Sequence, residues 1–253
     1  FATVRRINLL FMKNTVIIIP ARLAAKRFPN KPLALIKGTP MIVHVLNRAK
    51  ETKIEKVVVA TPDSEIIDVV EKNGGQAIFT QNTHTSGSDR VYEAYIKNFS
   101  SNADLIINVQ GDMPNINPSS ILHLEKHMKK GNCEIGTLAI NLQKDEINNP
   151  HVVKVQVDEE MTTGNFLIAK DFFRKKKDLK NEKIYHQIGI YAFTKDALTK
   201  YVKLPKSKLE INRDLEQMRA FENNMTIRVS LCDSNPVSVD TQEGLKKLIE
   251  TMN

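Results

Sequence analysis

An apolar, β-branched run, followed at once by a proline and a group of cations, constrains this chain more than any other segment. Residues 16–19 read Val-Ile-Ile-Ile, which is typical of a strand buried on both faces. Pro20 ends the run, because proline cannot donate a hydrogen bond within a sheet. Arg22, Arg27 and Lys31 follow in a loop that contains no acidic residue. Because α/β proteins bind ligands in the loops after their strands, we expect a multiply charged anion here, such as a nucleoside triphosphate.

Apolar spacing predicts that strands and helices alternate through the first half of the chain. The runs at 56–61 and 104–109 predict buried strands, whereas residues 40–52 and 118–130 place their apolar side chains at helical spacing. The connections between these elements are short. Such alternation favours a doubly wound α/β fold with a mostly parallel sheet.

The second half of the chain has a more mixed pattern. We expect strands at 136–141, 152–157, 188–193, 227–231 and 236–239, a lysine-rich loop at 169–182, and helices at 208–221 and 241–252. No linker rich in proline, glycine or serine divides the chain. We therefore predict a single domain over residues 14–253, composed of 14–135, a smaller β-containing part at 136–235 and a closing strand and helix at 236–253, with residues 1–13 as an extension.

Composition limits the functions open to the chain. The 37 Lys and Arg residues against 29 Asp and Glu give a net charge of +8, but the lysines are spread out, unlike those of a nucleic-acid-binding surface. The two cysteines lie far apart and form no metal-binding pair, as is usual in a reducing cytosol. No apolar run is long enough to span a membrane. We expect a cytoplasmic protein that binds a small anionic substrate and no nucleic acid.

The commonest phosphate-binding motifs are absent from the sequence. The chain has neither the GxxxxGK[ST] of a P-loop nor the GxGxxG of a dinucleotide site. Phosphate groups would therefore be held mainly by side chains. Arg22 and Arg27 can each donate two parallel hydrogen bonds to phosphate oxygens, and Lys31 adds a mobile point charge.

A second motif, Asn108 to Pro114, places Asp112 just beyond a buried strand. A carboxylate there suits Mg²⁺, which takes one or two carboxylates together with phosphate oxygens and water. The alternative is a turn residue that caps the next helix. Asp240 is the candidate for a second carboxylate. From the residues alone, however, Asp240 is better explained as a helix cap, because Asp-Thr-x-Glu is a good helix start.

Three further segments carry polar residues whose role the residues alone leave open. In His84 to Arg90, the small residues at 86–88 either allow a ligand to approach the backbone or simply cap the next helix. His186 precedes a buried strand and either faces a cleft or is structural. Glu210 and the pair Glu216–Gln217 either bind hydroxyl groups of a sugar or are solvated helix residues.

Five segments occur in an order that matches one known family. They are P-A-R-L-A-A-K-R-F-P-N-K-P-L at Pro20, H-T-S-G-S-D-R at His84, N-V-Q-G-D-M-P at Asn108, N-P-H-V-V-K-V at Asn149 and S-V-D-T at Ser238. H-Q-I-G-I-Y at His186 and the L-E-I-N-R-D-L-E-Q-M-R segment also lie where that family has its own versions. From residue 16 to 248 the chain resembles the 3-deoxy-manno-octulosonate cytidylyltransferases, or CMP-Kdo synthetases.

The resemblance implies an α/β fold of the Rossmann-like nucleotidyltransferase type, usually a homodimer. Its members couple CTP and the acidic sugar 3-deoxy-manno-octulosonate (Kdo) to CMP-Kdo and pyrophosphate with Mg²⁺, for lipopolysaccharide biosynthesis. Residues 14–135 would bind the nucleotide, and residues 136–235 would bind the sugar and form the dimer.

The same resemblance assigns a role to each candidate residue. The catalytic residues would be Arg22, Lys31 and Asp112, with Arg22 and Lys31 on the CTP phosphates. The substrate-binding residues would be Pro20, Ala21, Arg27, Ser86, Gly87 and Gln110 around the nucleotide, and His186, Glu210 and Gln217 near the sugar. Asp112 and Asp240 would hold the magnesium ion.

The chain departs from the family pattern at several positions. Asn30 stands where glycine is usual, Met113 where an acid is usual, and Arg213 where the sugar-side helix usually has a second glutamate. Two alternatives therefore stay open. One is a nucleotidyltransferase for another sugar, and the other is a nucleotide-binding protein that has lost catalysis.

Overall fold

Strands and helices alternate from the first described residues onward. The computed structural model describes residues 14–24, 27–131, 133–175, 182–234 and 236–251. Its strands are β1 (Thr15–Pro20), β2 (Leu35–Ile36), β3 (Thr39–Pro40), β4 (Lys56–Thr61), β5 (Ala77–Phe79), β6 (Leu105–Asn108), β7 (Ile135–Asn141), β8 (Lys154–Val157), β9 (Leu167–Ile168), β10 (Asp171–Phe173), β11 (Lys183–Thr194) and β12 (Ile227–Leu231). Its α-helices are α1 (Met41–Lys50), α2 (Ser64–Lys72), α3 (Gly87–Asn98), α4 (Pro118–Lys129), α5 (Lys195–Val202), α6 (Lys208–Arg213), α7 (Met218–Glu222) and α8 (Gln242–Thr251). The extension expected at residues 1–13 lies outside the described residues.

Ten of these strands form one mixed sheet. Its main path runs β5-β4-β1-β6-β11-β7-β12-β9, while β8 pairs with β11 and β10 pairs with β8. Strands β5, β4, β1 and β6 are mutually parallel, and β11 runs antiparallel to both β6 and β7. The short strands β2 and β3 form a separate antiparallel pair. The predicted fold class, a doubly wound and mostly parallel mixed α/β sheet, is confirmed.

The first strand is buried on both faces of the sheet. Val16 and Ile18 pack into the apolar cluster that contains residues of α3, whereas Ile17 and Ile19 pack into the cluster that contains residues of α1 and α2. All four side chains have 0% of their surface exposed. Since burying one such side chain is worth about 1.5–3 kcal/mol, a polar residue at any of these positions would be costly. The β-branched apolar run therefore fixes β1 in the centre of the parallel half.

The structure corrects several expectations for the second half of the chain. The single helix expected at 208–221 is two helices, because Asp214 adopts a left-handed conformation with φ 51° and ends α6. The loop expected at 169–182 contains β10, and residues 176–181 lie outside the described part. The strand expected at 236–239 is an extended segment without strand pairing. Helix α5, which directly follows β11, was not anticipated.

Both predicted parts of the chain contribute to the same sheet. Strand β11, from the second part, lies between β6 and β7. Cys133 and Cys232 are buried and form no disulfide. Among the described residues no helix has the length and apolar character needed to cross a membrane. The division at residue 135 stays a prediction.

Two histidines of α4 and one serine of β12 form a polar cluster between these two elements. The Nε2 atoms of His123 and His127 lie 3.0 Å and 3.2 Å from the Oγ of Ser230. The two imidazole rings meet edge to face, with their centroids 4.6 Å apart. Burial lowers the pKa of both histidines, and lysines of the same helix add to this effect, while Asp233 opposes it at His123. Both rings are therefore neutral in the folded protein near pH 7.

We expect the free energy of unfolding to fall as the pH drops below about 6.5, the ordinary pKa of histidine. Because the pKa of His123 and His127 is lower in the folded state, the unfolded chain binds more protons in this range, and protonation favours unfolding. Urea unfolding between about pH 7.5 and 5.5 measures the effect. The double variant His123→Gln, His127→Gln is the control and should give a flatter profile. Equal slopes in the two proteins would contradict this explanation.

Candidate active site

The basic loop after β1 folds back over the carboxyl end of the parallel strands. The Ala21 N–H donates to the carbonyl of Ala60 (2.9 Å), and the Leu23 N–H donates to the carboxylate of Asp63 (2.7 Å). Asp63 directly precedes α2, but its side chain makes no capping hydrogen bond to that helix. The Asn30 N–H then donates to the carbonyl of Leu23 at 3.1 Å. The loop is thus anchored to β4 and to the residue before α2, and one hydrogen bond within its own backbone closes it.

Asn30 turns the chain just before the third cation. Its backbone is left-handed, with φ 57° and ψ 18°, and a short 3-10 helix begins at Lys31. Residues other than glycine rarely adopt this conformation, and asparagine is among those that tolerate it best. The turn explains why the related family can have glycine here and why asparagine can replace it.

A backbone hydrogen bond brings two aspartates that are distant in sequence to the same place. The N–H of Val239 donates to the carbonyl of Asp112 at 2.9 Å, which sets Asp240 beside Asp112. The buried side chain of Val239 packs in a small apolar cluster with Phe28 of the basic loop and Leu248 of α8. The cluster therefore ties the loop, the last helix and the second aspartate together.

Lys31 lies between the two aspartates. Its Nζ is 2.7 Å from Oδ2 of Asp112 and 3.4 Å from Oδ1 of Asp240. A guanidinium nitrogen of Arg27 is a second partner of Asp240, at 3.1 Å. The side chains of Lys31 and Asp112 are only 16% and 21% exposed, whereas that of Arg27 is 60% exposed. Both carboxylates thus face one point, and the contact to Asp112 is the better shielded from solvent.

Neither aspartate caps a helix, so the structure corrects the interpretation of Asp240 from the residues alone. The hydroxyl of Thr241 accepts the N–H of Gly244 at the start of α8 (3.1 Å). At the start of α4, the side chain of Asn117 accepts the capping hydrogen bond instead of Asp112. Both carboxylates are directed towards the basic loop.

A cavity of about 280 Å³ opens between the basic loop, the start of α3 and the loop after β6. Ser86 caps α3 by accepting the N–H of Asp89, and a Cβ at Gly111 would lie 2.9 Å from the carbonyl of Pro20. Only glycine at 111 therefore lets the loops after β1 and β6 approach so closely. Of the predicted site residues, the structure brings together along this lining Pro20, Ala21, Arg22, Lys31, Ser86, Gly87, Gln110 and Asp112.

Arg90 also lines this cavity, although the sequence analysis gave it no role. Its Nη1 donates to the hydroxyl of Thr80 (2.6 Å) and to the carbonyl of Gln81 (3.1 Å), which fixes the buried guanidinium in place. Burial and the nearby charge of Arg22 lower the pKa of Arg90. A cation on the first turn of a helix, directly after a ligand-lining motif, is the signal that could have revealed it.

His84 is another residue of the lining to which the sequence assigned no role. Its Nε2 is hydrogen-bonded to Glu93, and the same carboxylate accepts the N–H of Gln81 (2.9 Å). Burial alone would raise the pKa of Glu93, but hydrogen bonds from Lys97 and His84 lower it to about 2. A permanently ionised carboxylate therefore holds the imidazole at the cavity wall.

A narrower cleft of about 40 Å³ adjoins this cavity, and Gln110 lines both. Tyr191, Glu216 and Gln217 line the narrower cleft, and the sugar contact predicted for Gln217 stays a prediction. Burial raises the pKa of Glu216, although hydrogen bonds from Ser88 and Ser86 oppose the shift.

Two residues predicted to lie near the sugar are outside the linings of both clefts. The Nδ1 of His186 lies 2.9 Å from the carboxylate of Glu146. Glu210 is buried against Arg219, which donates two hydrogen bonds to it (2.9 Å and 2.6 Å). In this region the cleft is instead lined by Tyr191, whose hydroxyl is buried.

A parallel sheet that ends at a cleft of cations and carboxylates, without a P-loop, defines the class of protein. These features belong to nucleotidyltransferases of the α/β type, which hold nucleotide phosphates with side chains and loop backbone. The loops after β1 and β6 meet at that cleft, as expected for ligand sites in α/β sheets.

The chain belongs to the cytidylyltransferase family, since the family model described as "Cytidylyltransferase" matches residues 16–227. It is 43% identical over 235 residues to the 3-deoxy-manno-octulosonate cytidylyltransferase of Brucella ovis, covering 92% of this chain and 93% of the relative. The solved structure of CMP:2-keto-3-deoxy-manno-octonic acid synthetase complexed with CTP is 34% identical, with a TM-score of 0.85 over 94% of this chain and 97% of that one. A cytidylyltransferase from Leptospira borgpetersenii, at 18% identity and a TM-score of 0.60 over 93% of this chain and 85% of that one, shares the fold.

The left-handed turn at Asn30 generates a prediction about stability. We expect Asn30→Ala to lower the free energy of unfolding by about 1 kcal/mol, because a Cβ-bearing residue without a local hydrogen-bonding side chain strains at positive φ. Asn30→Gly is the matched control and should stay within about 0.5 kcal/mol of the parent protein. Urea unfolding monitored by circular dichroism measures both. Equal losses in the two variants would show that the asparagine side chain, and not the backbone conformation, is what matters.

Proposed function

We propose that this protein couples CTP and Kdo to form CMP-Kdo and pyrophosphate, in lipopolysaccharide biosynthesis. The names of the relatives at 43% and 34% identity support this choice of substrates. The observation that carries the proposal is the convergence of Asp112 and Asp240 on Lys31, beside a cavity lined by further cations. A triphosphate and a divalent cation are the ligands that such a set of charges recognises.

The larger cavity is the proposed CTP site. Arg22, Lys31 and Arg90 supply positive charge to the triphosphate, and Arg27 stands at its exposed edge. Pro20, Ala21, Ser86, Gly87 and Gln110 border the space proposed for the nucleoside. A Cβ at Gly87 would project to within 3.6 Å of Pro20 and occupy part of this space. The absence of a side chain there therefore favours a flat base between the two loops.

The two carboxylates fit a magnesium ion as the proposed cofactor. Both reach a single point, and Mg²⁺ prefers oxygen ligands from one or two carboxylates together with phosphate groups. Within the described ranges, no group of three or more His, Cys, Asp or Glu residues is arranged to hold a metal ion, so Asp112 and Asp240 would share it with the nucleotide. When bound, magnesium would neutralise phosphate charge and lower the pKa of the attacking hydroxyl.

In the proposed reaction, the anomeric hydroxyl of Kdo attacks the α-phosphorus of CTP in line with the departing pyrophosphate. A new O–P bond forms as the bond between the α-phosphorus and the oxygen that bridges to the β-phosphate breaks, and the hydroxyl proton passes to solvent. Such transfers depend on positioning and charge neutralisation more than on covalent chemistry. Arg22 and Lys31 stabilise the charge that develops on the α-phosphate and on the leaving group.

The sugar is proposed to lie where the narrower cleft joins the CTP site. Gln110 borders both spaces, and the cleft of about 40 Å³ holds only part of a sugar acid. Tyr191, Glu216 and Gln217 face this junction with polar groups suited to hydroxyl oxygens.

We further propose a homodimer in the cytoplasm. Ile168 on the edge strand β9 and Ile211 on α6 are 45% and 66% exposed, which suits an apolar contact with a second copy. The unpaired cysteines are typical of a reducing compartment. Light scattering after size exclusion measures the mass, and a monomer at working concentration would contradict the dimer.

If charged side chains at the CTP site stabilise the transition state, removing one of them should lower the rate strongly. Lys31→Ala and Asp112→Asn should each lower kcat/KM for CMP-Kdo formation by at least about a hundredfold, the scale of one electrostatic contact to the transition state. A coupled pyrophosphate assay with CTP, Kdo and Mg²⁺, repeated without each component, measures the rate. Lys72→Ala and Asp68→Asn, at exposed positions of α2, are the matched controls. Near-normal rates in either active-site variant would remove this mechanism.

The same assay separates the alternative functions when it is run over other nucleotides and sugars. Faster turnover of a different sugar acid would make the protein a nucleotidyltransferase for that sugar. Tight CTP binding without turnover of any sugar would support a nucleotide-binding protein that has lost catalysis.

The placement of the sugar predicts a selective effect on KM. Gln217→Ala should raise the KM for Kdo by about tenfold, the cost of one lost hydrogen bond to a charged or polar ligand, and leave the KM for CTP unchanged. His186→Gln is the control, because the resemblance assigns His186 to the sugar but the residue lines neither cleft. This variant should leave the KM for Kdo and the KM for CTP unchanged. If His186→Gln alone raises the KM for Kdo, the sugar lies elsewhere.

A further inference from the structure

We infer that Lys31 guards the metal site: its ammonium group occupies the point between Asp112 and Asp240 until the phosphates of a nucleotide draw it away. The metal ion would then bind together with the nucleotide and only weakly without it. This inference rests on the proposed function, because it takes the ligands of the site to be a nucleoside triphosphate and a divalent cation.

The distances show why the ammonium and a metal ion exclude each other. Lys31 Nζ is 2.7 Å from Oδ2 of Asp112 and 3.4 Å from Oδ1 of Asp240. A magnesium ion bonded to the same oxygens would sit about 2.0–2.1 Å from each. It would therefore need the two oxygen atoms that the ammonium group already contacts, and the two positive charges would repel each other strongly at such short range. Lys31 and the metal ion should accordingly compete for this point.

The charges of the cluster lead to the same conclusion. Lys31 and Arg27 together carry two positive charges, and Asp112 and Asp240 carry two negative charges. The set is neutral before any ligand binds, so it does not attract a free divalent cation. Because the Lys31 and Asp112 side chains are 16% and 21% exposed, solvent screens the repulsion less than at an open surface.

The lining of the cavity provides the means of release. Arg22 and Arg90 line the cavity beside Lys31, so a triphosphate bound there is within reach of all three cations. The lysine side chain has four rotatable carbon–carbon bonds and a compact charge, so it can turn from a carboxylate to a phosphate without backbone movement. Once Lys31 turns, Asp112 loses its ion pair and Asp240 keeps only the exposed Arg27 as a partner. Nucleotide and metal should therefore raise each other's affinity, as linkage requires.

Direct metal binding without nucleotide tests the inference. Mn²⁺, a paramagnetic substitute for Mg²⁺, is titrated into the protein, and electron paramagnetic resonance counts the free ion. Lys31→Met keeps the length of the side chain and removes the charge, so it should tighten Mn²⁺ binding by at least about tenfold. Arg22→Met is the matched control, because it also removes one cation from the lining of the cavity. Among the ion pairs of the described residues, none joins Arg22 to Asp112 or Asp240. Unchanged or weaker Mn²⁺ binding in Lys31→Met, or an equal gain in Arg22→Met, would overturn the inference.

Nucleotide binding without metal supplies an independent readout. In EDTA, Asp112→Asn should tighten CTP binding measured by calorimetry, because Lys31 loses its partner and is free for the phosphates. Simple removal of a negative charge would also help CTP, so the measurement is repeated in a Lys31→Met background. The gain from Asp112→Asn should be several times smaller there, and equal gains in the two backgrounds would overturn the inference.

These experiments keep the inference distinct from the proposed function. Mn²⁺ titration requires neither CTP nor turnover, so tighter binding in Lys31→Met supports the guarding role whatever the substrate proves to be. Loss of CTP binding or of CMP-Kdo formation by the parent protein would instead defeat the proposed function. The two failures are therefore read from different measurements.

Discussion

The position of β1 between two parallel neighbours is the constraint on which the cleft depends. Its backbone pairs with β4 on one side and β6 on the other, and its side chains are buried on both faces. Parallel strands end at the same edge of a sheet, so the basic loop after β1 and the loop that carries Asp112 emerge side by side. Gly111 then lets the two loops approach closely enough for Lys31 to reach the carboxylate. A single apolar run early in the chain thereby sets the geometry of residues that lie far apart in sequence.

The last helix completes the site through a different kind of interaction. Asp240 comes from the far end of the chain, and one backbone hydrogen bond from Val239 to Asp112, supported by apolar packing on Phe28, holds it in place. The side chain of Asp240 is 42% exposed, twice the value for Asp112. One carboxylate of the cleft therefore follows a strand of the sheet, and the other lies on the extended segment before α8 and is more exposed to solvent. Differences in solvent exposure at the two carboxylates follow directly from this construction.

Most of the lining of the larger cavity could be predicted from the sequence, and that of the narrower cleft only in part, for identifiable reasons. Arg22, Lys31, Ser86 and Gln110 follow strands or open a helix, so strong apolar patterns fixed their position. On β11, by contrast, the pairing register with β7 shifts between Ile188 and Tyr191. Such a bulge breaks the strict alternation of side chains along a strand, so counting from the sequence cannot tell which polar residue faces the cleft.

The prediction of a single helix over residues 208–221 was wrong for a related reason. Nothing in its apolar spacing signals the left-handed Asp214 that divides it. Because of that break, Glu210 pairs with Arg219 in the interior while Glu216 and Gln217 line the narrower cleft. Arg213, which stands where the related family has a glutamate, pairs with Asp171 of β10 and donates to the carbonyl of Phe172 at 2.7 Å. Long-range ion pairs of this kind have no local sequence signature.

Met113 shows how one departure from the family pattern is accommodated. The side chain is 4% exposed, and a Cβ at Gly189 would lie 2.9 Å from its terminal methyl group. A Cβ at 189 would require the flexible end of the Met113 side chain to move, so the absence of a side chain at Gly189 leaves this space to the methionine. An acid introduced at 113 would bring an ionised group against an apolar wall, and new polar neighbours around the bulge would be needed to compensate its burial.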